Sequence, residues 1–496
     1  IESDNIERHA RAAGLQIAGA SPALVEMTFL VQVAIDINGD PDASLLPIIK
    51  ENTSVISSNG VKFYLIEDID FSETHMVGDE EQLIATVQDV KSRTTGEVTH
   101  KILTRNGQCV SGEIKTINIA VPNSFQAFRK YTLPNNNVSE IMRVVDSDNN
   151  LYYEVGSLTQ DTVFTQMPNP YYPQDPVKST LKVQPAPYRF VTETSMKTRM
   201  TSLMFGSGNS TIVDDDIIPD PSDLSLPLYG KKHLSRFSID PNALLGTKTL
   251  GVAPQNTTLS ITYRYGGGIS HNVSARAISD INTLDIEFPA EASADQASNT
   301  RATVACYNLH AASGGANAQT IDELRGLIPA ARNLQSRIVT REDLLARIYT
   351  LPNTYGRVYR AAILPNPNNP LAGMLYILSK NAQGQLITAP QVLKDNIKTY
   401  LNEFRLIGDA LDVMDAHIVN FGLTIEIVVT PNVNKYDVVA AVLKNVQEIF
   451  RRDKIQIGMP IIESDIQSAA FMTPGVMSLV GYSITNLKNV QGEIEY

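Results

Sequence analysis

Tryptophan is absent from the 496 residues, and cysteine nearly so. The two thiols, Cys109 and Cys306, lie far apart in sequence. Two such residues build neither a disulfide framework nor a four-ligand zinc site, and the usage fits maturation in a reducing compartment. No apolar run approaches the roughly 20 residues that carry a helix across a bilayer. The longest, Phe421 to Thr430, is interrupted by Glu426. Positive charge is also scarce: 41 Lys and Arg against 53 Asp and Glu leave a formal charge of −12. That excludes a general nucleic-acid binder, which needs cations to displace phosphate counterions, and it opposes adhesion to an anionic membrane. No signal peptide is visible and the first residue is Ile1, so the chain is expected to begin inside a longer gene product.

What is present describes folded protein. Hydrophobic residues make up 43% and charged residues 19%, outside the range of disordered chains. At about 150 residues per domain, the length suggests roughly three domains.

Catalytic signatures are missing as well. His9, His75, His100, His233, His271, His310 and His417 form no HxH or HExxH arrangement, so helical zinc hydrolysis has no support. Gly266-Gly267-Gly268 follows a strand pattern as a phosphate loop would. It lacks the Lys-Ser/Thr pair and a following helix, so a glycine turn is the expectation. Phe205-Gly206-Ser207-Gly208-Asn209 does not match a nucleophile elbow. Asp146-Ser147-Asp148-Asn149-Asn150 starts like a calcium loop, but Leu151 replaces the sixth-place Gly and Ser157 the twelfth-place Glu; a hairpin turn is expected. Asp214-Asp215-Asp216 reads as a solvated loop. Lys231-Lys232 and Arg451-Arg452 are too small for a nucleic-acid footprint. No metal, cofactor or catalytic residue is nominated.

The hydrophobic periods predict the elements. Residues 3 to 18 read as a helix capped by Ser3 or Asp4, with Ile6, His9, Ala10 and Ala13 on one face and Gly14 as its left-handed stop. Val25, Met27, Phe29, Val31 and Val33 alternate as a strand. Asn59-Gly60 marks a hairpin turn, and Met142–Val145 is expected to pair with Leu151–Val155. Residues 76 to 175 read as mostly β. The prolines of residues 168 to 255 are expected to prevent long regular elements there. Leu259–Tyr265 is a further strand. From about residue 319 the pattern becomes α/β. Thr320 and Glu323 form a capping box before a short helix expected to end near Gly326 and Pro329. Thr340 caps the next helix, with Leu344, Leu345 and Ile348 inward. Val358–Leu364 and Met374–Ser379 are strands. Pro390 opens a helix with Leu393, Ile397, Tyr400, Leu401 and Phe404 on its apolar side. Leu423, Ile425, Ile427 and Val429 alternate as a half-buried strand. Residues 437 to 452 form a helix whose stripe is Val439, Val442, Leu443, Val446, Ile449 and Phe450. Glu342–Tyr349 before Pro352 echoes Ser464–Phe471 before Pro474.

Several of these segments, in this order, resemble the baseplate J-like wedge proteins of contractile phage tails, the larger T-even-type members most of all. They are Asn5–Leu15 followed by Ser21-Pro22-Ala23; Val144–Asp148 with Tyr153-Glu154-Val155, where Tyr stands for the family's Trp and Asn for its turn Gly; and Phe205-Gly206-Ser207-Gly208. They continue with Tyr263-Arg264-Tyr265-Gly266-Gly267-Gly268 with Asn272-Val273; Gly314-Gly315 leading to Asp322–Arg325, Arg337–Thr340 and Asp343; and Ser464-Asp465-Ile466 with Pro474-Gly475-Val476. The likeness spans nearly the whole chain, while the family's N-terminal helices are not present before Ile1.

The resemblance implies an architectural α+β, multidomain protein, not an enzyme, with β-rich N-terminal and middle regions carrying long loops and small C-terminal α/β sandwich domains. The expected division is 1–20, the end of an N-terminal helical bundle; 21–175, a β-rich domain; 176–300, a loop-rich β insertion; 301–350, a J-like helical linker; and 351–496, C-terminal α+β dimerisation domains. The implied partners are a second copy, then a ring of dimers around the tail hub, other wedge proteins, and a small lysozyme-like sheath-initiator protein. Neither nucleic acid nor membrane is among them. The implied place is the baseplate of a virion tail assembled in the host cytoplasm, where ring rearrangement signals sheath contraction. Expected interface residues are Ile6, His9 and Ala13 on the N-terminal helix and Tyr400, Phe404, Ile449 and Phe450 in the C-terminal region. Two alternatives stay open: a baseplate component of a bacterial contractile injection system, and a glycan-binding or glycan-cleaving tail protein using the Tyr- and Asn-rich region 130 to 270.

Overall fold

A computed structural model describes residues 2–17, 19–77, 80–91, 96–170, 177, 179–209, 250–334, 337–367, 369–406, 408–431, 433–451 and 454–487. The Asp214-Asp215-Asp216 run, Lys231-Lys232, His233 and Arg452 lie outside the described residues.

The architecture is α+β and β-rich, as the sequence predicts. Seven α-helices are described: α1 (Glu2–Ala12), α2 (Ala294–Ala302), α3 (Ile321–Asn333), α4 (Arg341–Tyr349), α5 (Gln391–Asn402), α6 (Lys435–Ile449) and α7 (Glu463–Phe471).

The first large sheet is built around Leu24–Ala34, which pairs antiparallel with Val98–Ser111 from Leu24↔Val110 to Ala34↔His100. Val25, Met27, Phe29, Val31 and Val33 all point into its core beside Phe63, Phe71 and Leu103. This is the one-face burial that a period of two demands. The hairpin at Asn59-Gly60 closes Ser54–Ser57 on Lys62–Leu65, with Gly60 at φ 81.

The second large sheet takes its strands in the order 113–121, 257–265, 138–145, 151–154, 189–194, 200–205 and 130–136. Val144 pairs with Tyr152 across the turn expected at Asp146. The Asp146 carboxylate accepts from the backbone N–H of Asp148 (3.0 Å) and Asn150 (2.8 Å), so its oxygens organise the hairpin. Both large sheets draw strands from distant parts of the chain: in the first, 278–283 pairs with 54–57 and 305–307 with 24–34, and in the second, 257–265 lies between 113–121 and 138–145.

The described part of the proline-rich stretch holds short strands only, as its prolines predict. Thr162–Pro168 and Ser179–Pro185 form a seven-residue antiparallel ribbon, each strand ending on its proline, where no further ladder donor is required.

Three helix expectations are corrected. α1 already includes Ser3 and Asp4, which therefore do not cap it. Its end is as predicted: Leu15 N–H reaches the Ala10 carbonyl and Gly14 N–H that of Arg11, around Gly14 at φ 73. α3 starts at the predicted capping box of Thr320 and Glu323 but runs through Gly326 and Pro329 to Asn333. An interior proline costs about 3 kcal/mol. Leu324 and Ala331 are buried with Leu327 and Ile328 against Ile6, Ala10 and Leu15, and burial of a Leu-sized side chain contributes about 1.5–3 kcal/mol. Packing against α1 outweighs the proline. α6 starts at Lys435 behind an Asn434 cap, and its buried stripe is Val438, Val442 and Val446. Val439 and Leu443 are 43% and 56% exposed. The apolar arc is wider than the two strands beneath it can cover.

The C-terminal part forms two units. In one, Arg360–Asn366, Asn369–Lys380, 386–387 and Ala410–Asp415 form a sheet. Leu344 and Ile348 of α4 and Leu393, Ile397 and Leu401 of α5 share its core. In the other, Asn420–Val429 and Val476–Leu487 form a two-stranded sheet packed with α6 and α7. The echoed helices α4 and α7 are both nine residues long and each buries an i, i+4 pair, Leu344/Ile348 and Ile466/Ala470. After Pro474 a strand follows directly. After Pro352 a 3-10 turn, Asn353–Tyr355, comes first.

Candidate functional site

Three of the segments whose motifs drew attention in the sequence, around Ser21, Gly266–Asn272 and Gly314-Gly315, meet at one junction with the 338–415 unit. Gly266, Gly267 and Gly268 have φ values of 100, 122 and 110, open to glycine. Gly268 N–H donates to the Ser21 carbonyl at 3.0 Å. A Cβ on Gly267 would lie 2.6 Å from that same oxygen. The glycines permit close backbone approach and hold no phosphate cradle. Ser21 and Ala316 bridge each other's main chain, and Arg357 N–H donates to the Gly314 carbonyl at 2.9 Å.

Asn272 fastens the assembly. The residue is 2% exposed. Nδ2 donates to the carbonyls of Gly315 (2.9 Å) and Lys380 (2.8 Å), while Oδ1 accepts from Gly315 N–H at 2.9 Å. Ser313 Oγ donates to Ser379 Oγ at 3.1 Å, and Ser21 Oγ to Asn353 Oδ1 at 2.9 Å. Leu24 and Val110, from the first large sheet, enter the core of α5. Hydrogen bonding and apolar packing thus both cross the joint.

The junction contains one nucleophile–base contact: His271 Nδ1 lies 2.9 Å from Ser111 Oγ. Ser111 is fully buried and its Oγ accepts from Ala23 N–H at 2.8 Å. Burial lowers the His271 pKa. The serine has no access to a substrate, and the pair works as an internal tie. Among the described residues, no group of three His, Cys, Asp or Glu could hold a metal ion.

The expected interface residues occupy different environments. Ile6 and Ala13 pack against α3 within this chain, and His9 is exposed on another side of α1. α1 is also held by charge: Arg11 pairs with Glu7 and Glu193, and Glu193 with Lys130. Lys130 first, then Arg11, hold the Glu193 carboxyl below its usual range against the opposing effect of burial. Tyr400 is buried between Tyr355 and Phe404, at ring distances of 5.5 and 5.1 Å, with the Arg347 guanidinium 3.8 Å from the Phe404 ring centre. Ile449 is half-buried, and Phe450 packs edge-on against Phe421 at 5.2 Å. Of the seven, His9 alone is exposed.

Sequence reading missed the exposed apolar faces. The 420–487 unit leaves Tyr436, Val439 and Leu443 open on α6, and Phe471, Met472, Met477 and Val480 open on and after α7. Register shifts after Glu426 and Val428 leave Val480 and Met477 outside the ladder, which period-two reading cannot anticipate. The 162–185 ribbon exposes Phe164, Leu181 and Val183. Of the described tyrosines in the region considered for sugar stacking, Tyr263 and Tyr152 are buried, and Tyr152 packs edge-on against Phe205 and Tyr188; Tyr131, Tyr153, Tyr188 and Tyr265 are half-buried.

No family model matches the chain, and no curated protein matches it. Among solved structures, a chain of the cryo-EM structure of the anti-feeding prophage baseplate, six-fold symmetrised, aligns over 97% of this chain and 76% of its own. The identity is 8% and the TM-score 0.28, too low a score to equate the two folds.

Proposed function

We propose that the chain is a structural subunit of a contractile-tail baseplate, a wedge protein without enzymatic activity. The observation that carries the reading is the placement of the resembling segments. Ser21, Gly266–Gly268, Asn272 and Gly314-Gly315, from three of the segments that resemble the wedge family, form one joint. In this reading residues 351–496 supply the homotypic interface, through apolar side chains such as Phe471, Met472, Met477 and Val480 that no other described residue covers. The exposed side of α1, with His9, meets a bundle partner. Dimers close into a ring around the hub, and the joint transmits movement between bistable interfaces to the sheath. The lysozyme-like sheath initiator and the other wedge proteins are the heterologous partners, and assembly takes place in the host cytoplasm. Genomic neighbours decide between a phage tail and a bacterial injection system.

The test is the solution mass of the full chain by light scattering across concentration and salt, alongside a chain lacking residues 351–496. A reversible dimer or ring series that disappears with the truncation supports the reading. A truncated chain that still forms the same dimer overturns the placement of the interface.

A further inference from the structure

The strand Asn420–Val429 pairs with Val476–Leu487 on one side, and its other edge has no ladder partner among the described residues. Ten residues long, it carries no proline and no Lys or Arg, the usual devices that blunt a free edge. Alternate residues of such a strand turn both N–H and C=O outward. Beneath this edge lies a groove of about 610 Å³ between the strand and α6. Phe421, Leu423, Ile425 and Ile427 form its floor and Val439 and Leu443 its overhang, and no charged side chain lines it. α7 packs under the neighbouring strand and leaves the groove open.

Charge says what kind of occupant fits. Glu426 is the one charged residue of the strand and points to the opposite face from the groove. Its carboxylate lies over Gly481 with neither an ion pair nor a hydrogen bond described for it, and it occupies the middle of the strand. A strand added to the edge places alternate side chains into the groove and the intervening ones beside Glu426. Directly opposed side chains then stand about 4.5–5.5 Å apart at Cβ, within ion-pairing reach of a long cation.

We propose that this edge and groove form a β-addition site for an extended segment of another protein. The segment is uncharged and apolar at alternate positions and carries Lys or Arg opposite Glu426. A symmetric second copy fits less well, because self-pairing brings two Glu426 carboxylates toward each other with no cation on either strand to offset them. The inference concerns the 420–449 face alone and goes beyond the baseplate reading. The homotypic interface proposed above uses other side chains.

The test uses the full chain and a fluorescent ten-residue peptide alternating Val or Ile with Thr, with one Lys placed to face Glu426. Three comparisons accompany it: the peptide with two prolines at ladder positions, the peptide with Glu for Lys, and an amphipathic helical peptide of equal hydrophobicity. Anisotropy reads affinity, and hydrogen exchange reads the amides of 420–429. The expected result is saturable binding with new protection along 420–429, lost with the proline peptide. The Glu peptide binds roughly three- to fivefold more weakly and is rescued by Glu426→Lys. Leu443→Asp, at an exposed position, abolishes binding without unfolding the chain. Equal binding of the proline or helical peptide, or no saturable binding, overturns the proposal. So does edge protection in the unliganded chain with a doubled mass that Leu443→Asp halves, which assigns the groove to a second copy.

Discussion

Asn272 Nδ2 donates to the Lys380 carbonyl oxygen at 2.8 Å across 108 positions of sequence, while the same amide brackets the main chain of Gly315. One buried side chain thereby holds three main-chain groups from two other segments. Asn272→Ala removes these bonds and leaves buried partners unsatisfied, at about 1–3 kcal/mol for each group stranded. The expected outcome is a loss of about 3 kcal/mol or more in urea unfolding of the full chain, with increased hydrogen exchange at 313–317 and 378–380. Asn272→Asp is expected to be at least as damaging near neutral pH, since a carboxylate replaces the donor that faces two carbonyls. A protease-resistant Asn272→Ala protein with unchanged midpoint contradicts this role.

Two glycines with similar sequence standing have opposite roles. Gly267 has φ 122, and an added Cβ would meet the Ser21 carbonyl oxygen at 2.6 Å. Gly326 lies inside α3 with nothing within 4 Å of its would-be Cβ. Gly267→Ala is expected to lower the unfolding midpoint and loosen Ser21. Gly326→Ala is expected to stabilise by up to about 1 kcal/mol through helix propensity. Thermal unfolding of the two variants side by side checks both signs.

That contrast marks what the sequence discloses. Alternation from Val25 to Val33 is legible because one face of that strand is buried throughout. The caps at Thr320 and Thr340 are legible because a side chain and a backbone N–H three residues on satisfy each other locally. Pro329 misleads because its local cost is overridden by α1, some 320 residues earlier in the chain. On α6, Val442 and Val446 are buried as read, but Val438 is covered in place of Val439, because the two are equally apolar and only tertiary contact decides between them. The glycine-rich motifs signal close approach, but the approaching partners, Ser21 and Asn272, belong to other segments.

The charges around α1 predict a pH response. The folded-state pKa of Glu193 is depressed, first by Lys130, so its contribution is present above the unfolded carboxylate value near 4.3 and is lost as pH falls through the folded value. The contacts are partly exposed, so the effect is expected to stay under about 1 kcal/mol and to shrink with salt. Hydrogen exchange of the α1 amides should show faster opening below about pH 4 than at about pH 7. Glu193→Gln should remove most of the difference. An α1 whose exchange free energy is the same in both proteins at both pH values argues that Ile6, Ala10 and Leu15 alone hold the helix.

Core and interface roles separate at Tyr400 and Met472. Tyr400 is buried between two aromatic rings, and truncating a buried large aromatic costs about 3–5 kcal/mol. Tyr400→Ala is therefore expected to destabilise the 338–415 unit, and any loss of association it causes should track that unfolding. Met472 is 79% exposed at the end of α7, with Phe471, Met477 and Val480 nearby in the chain. Met472→Lys with Val480→Lys is expected to leave the unfolding midpoint within about 0.5 kcal/mol of the parent, as exposed substitutions generally do. The same pair should shift the light-scattering mass toward the monomer, because two added charges would have to be desolvated in a dimer interface. If the double variant associates as the parent does while its fold is intact, the homotypic surface lies elsewhere than the α7 face.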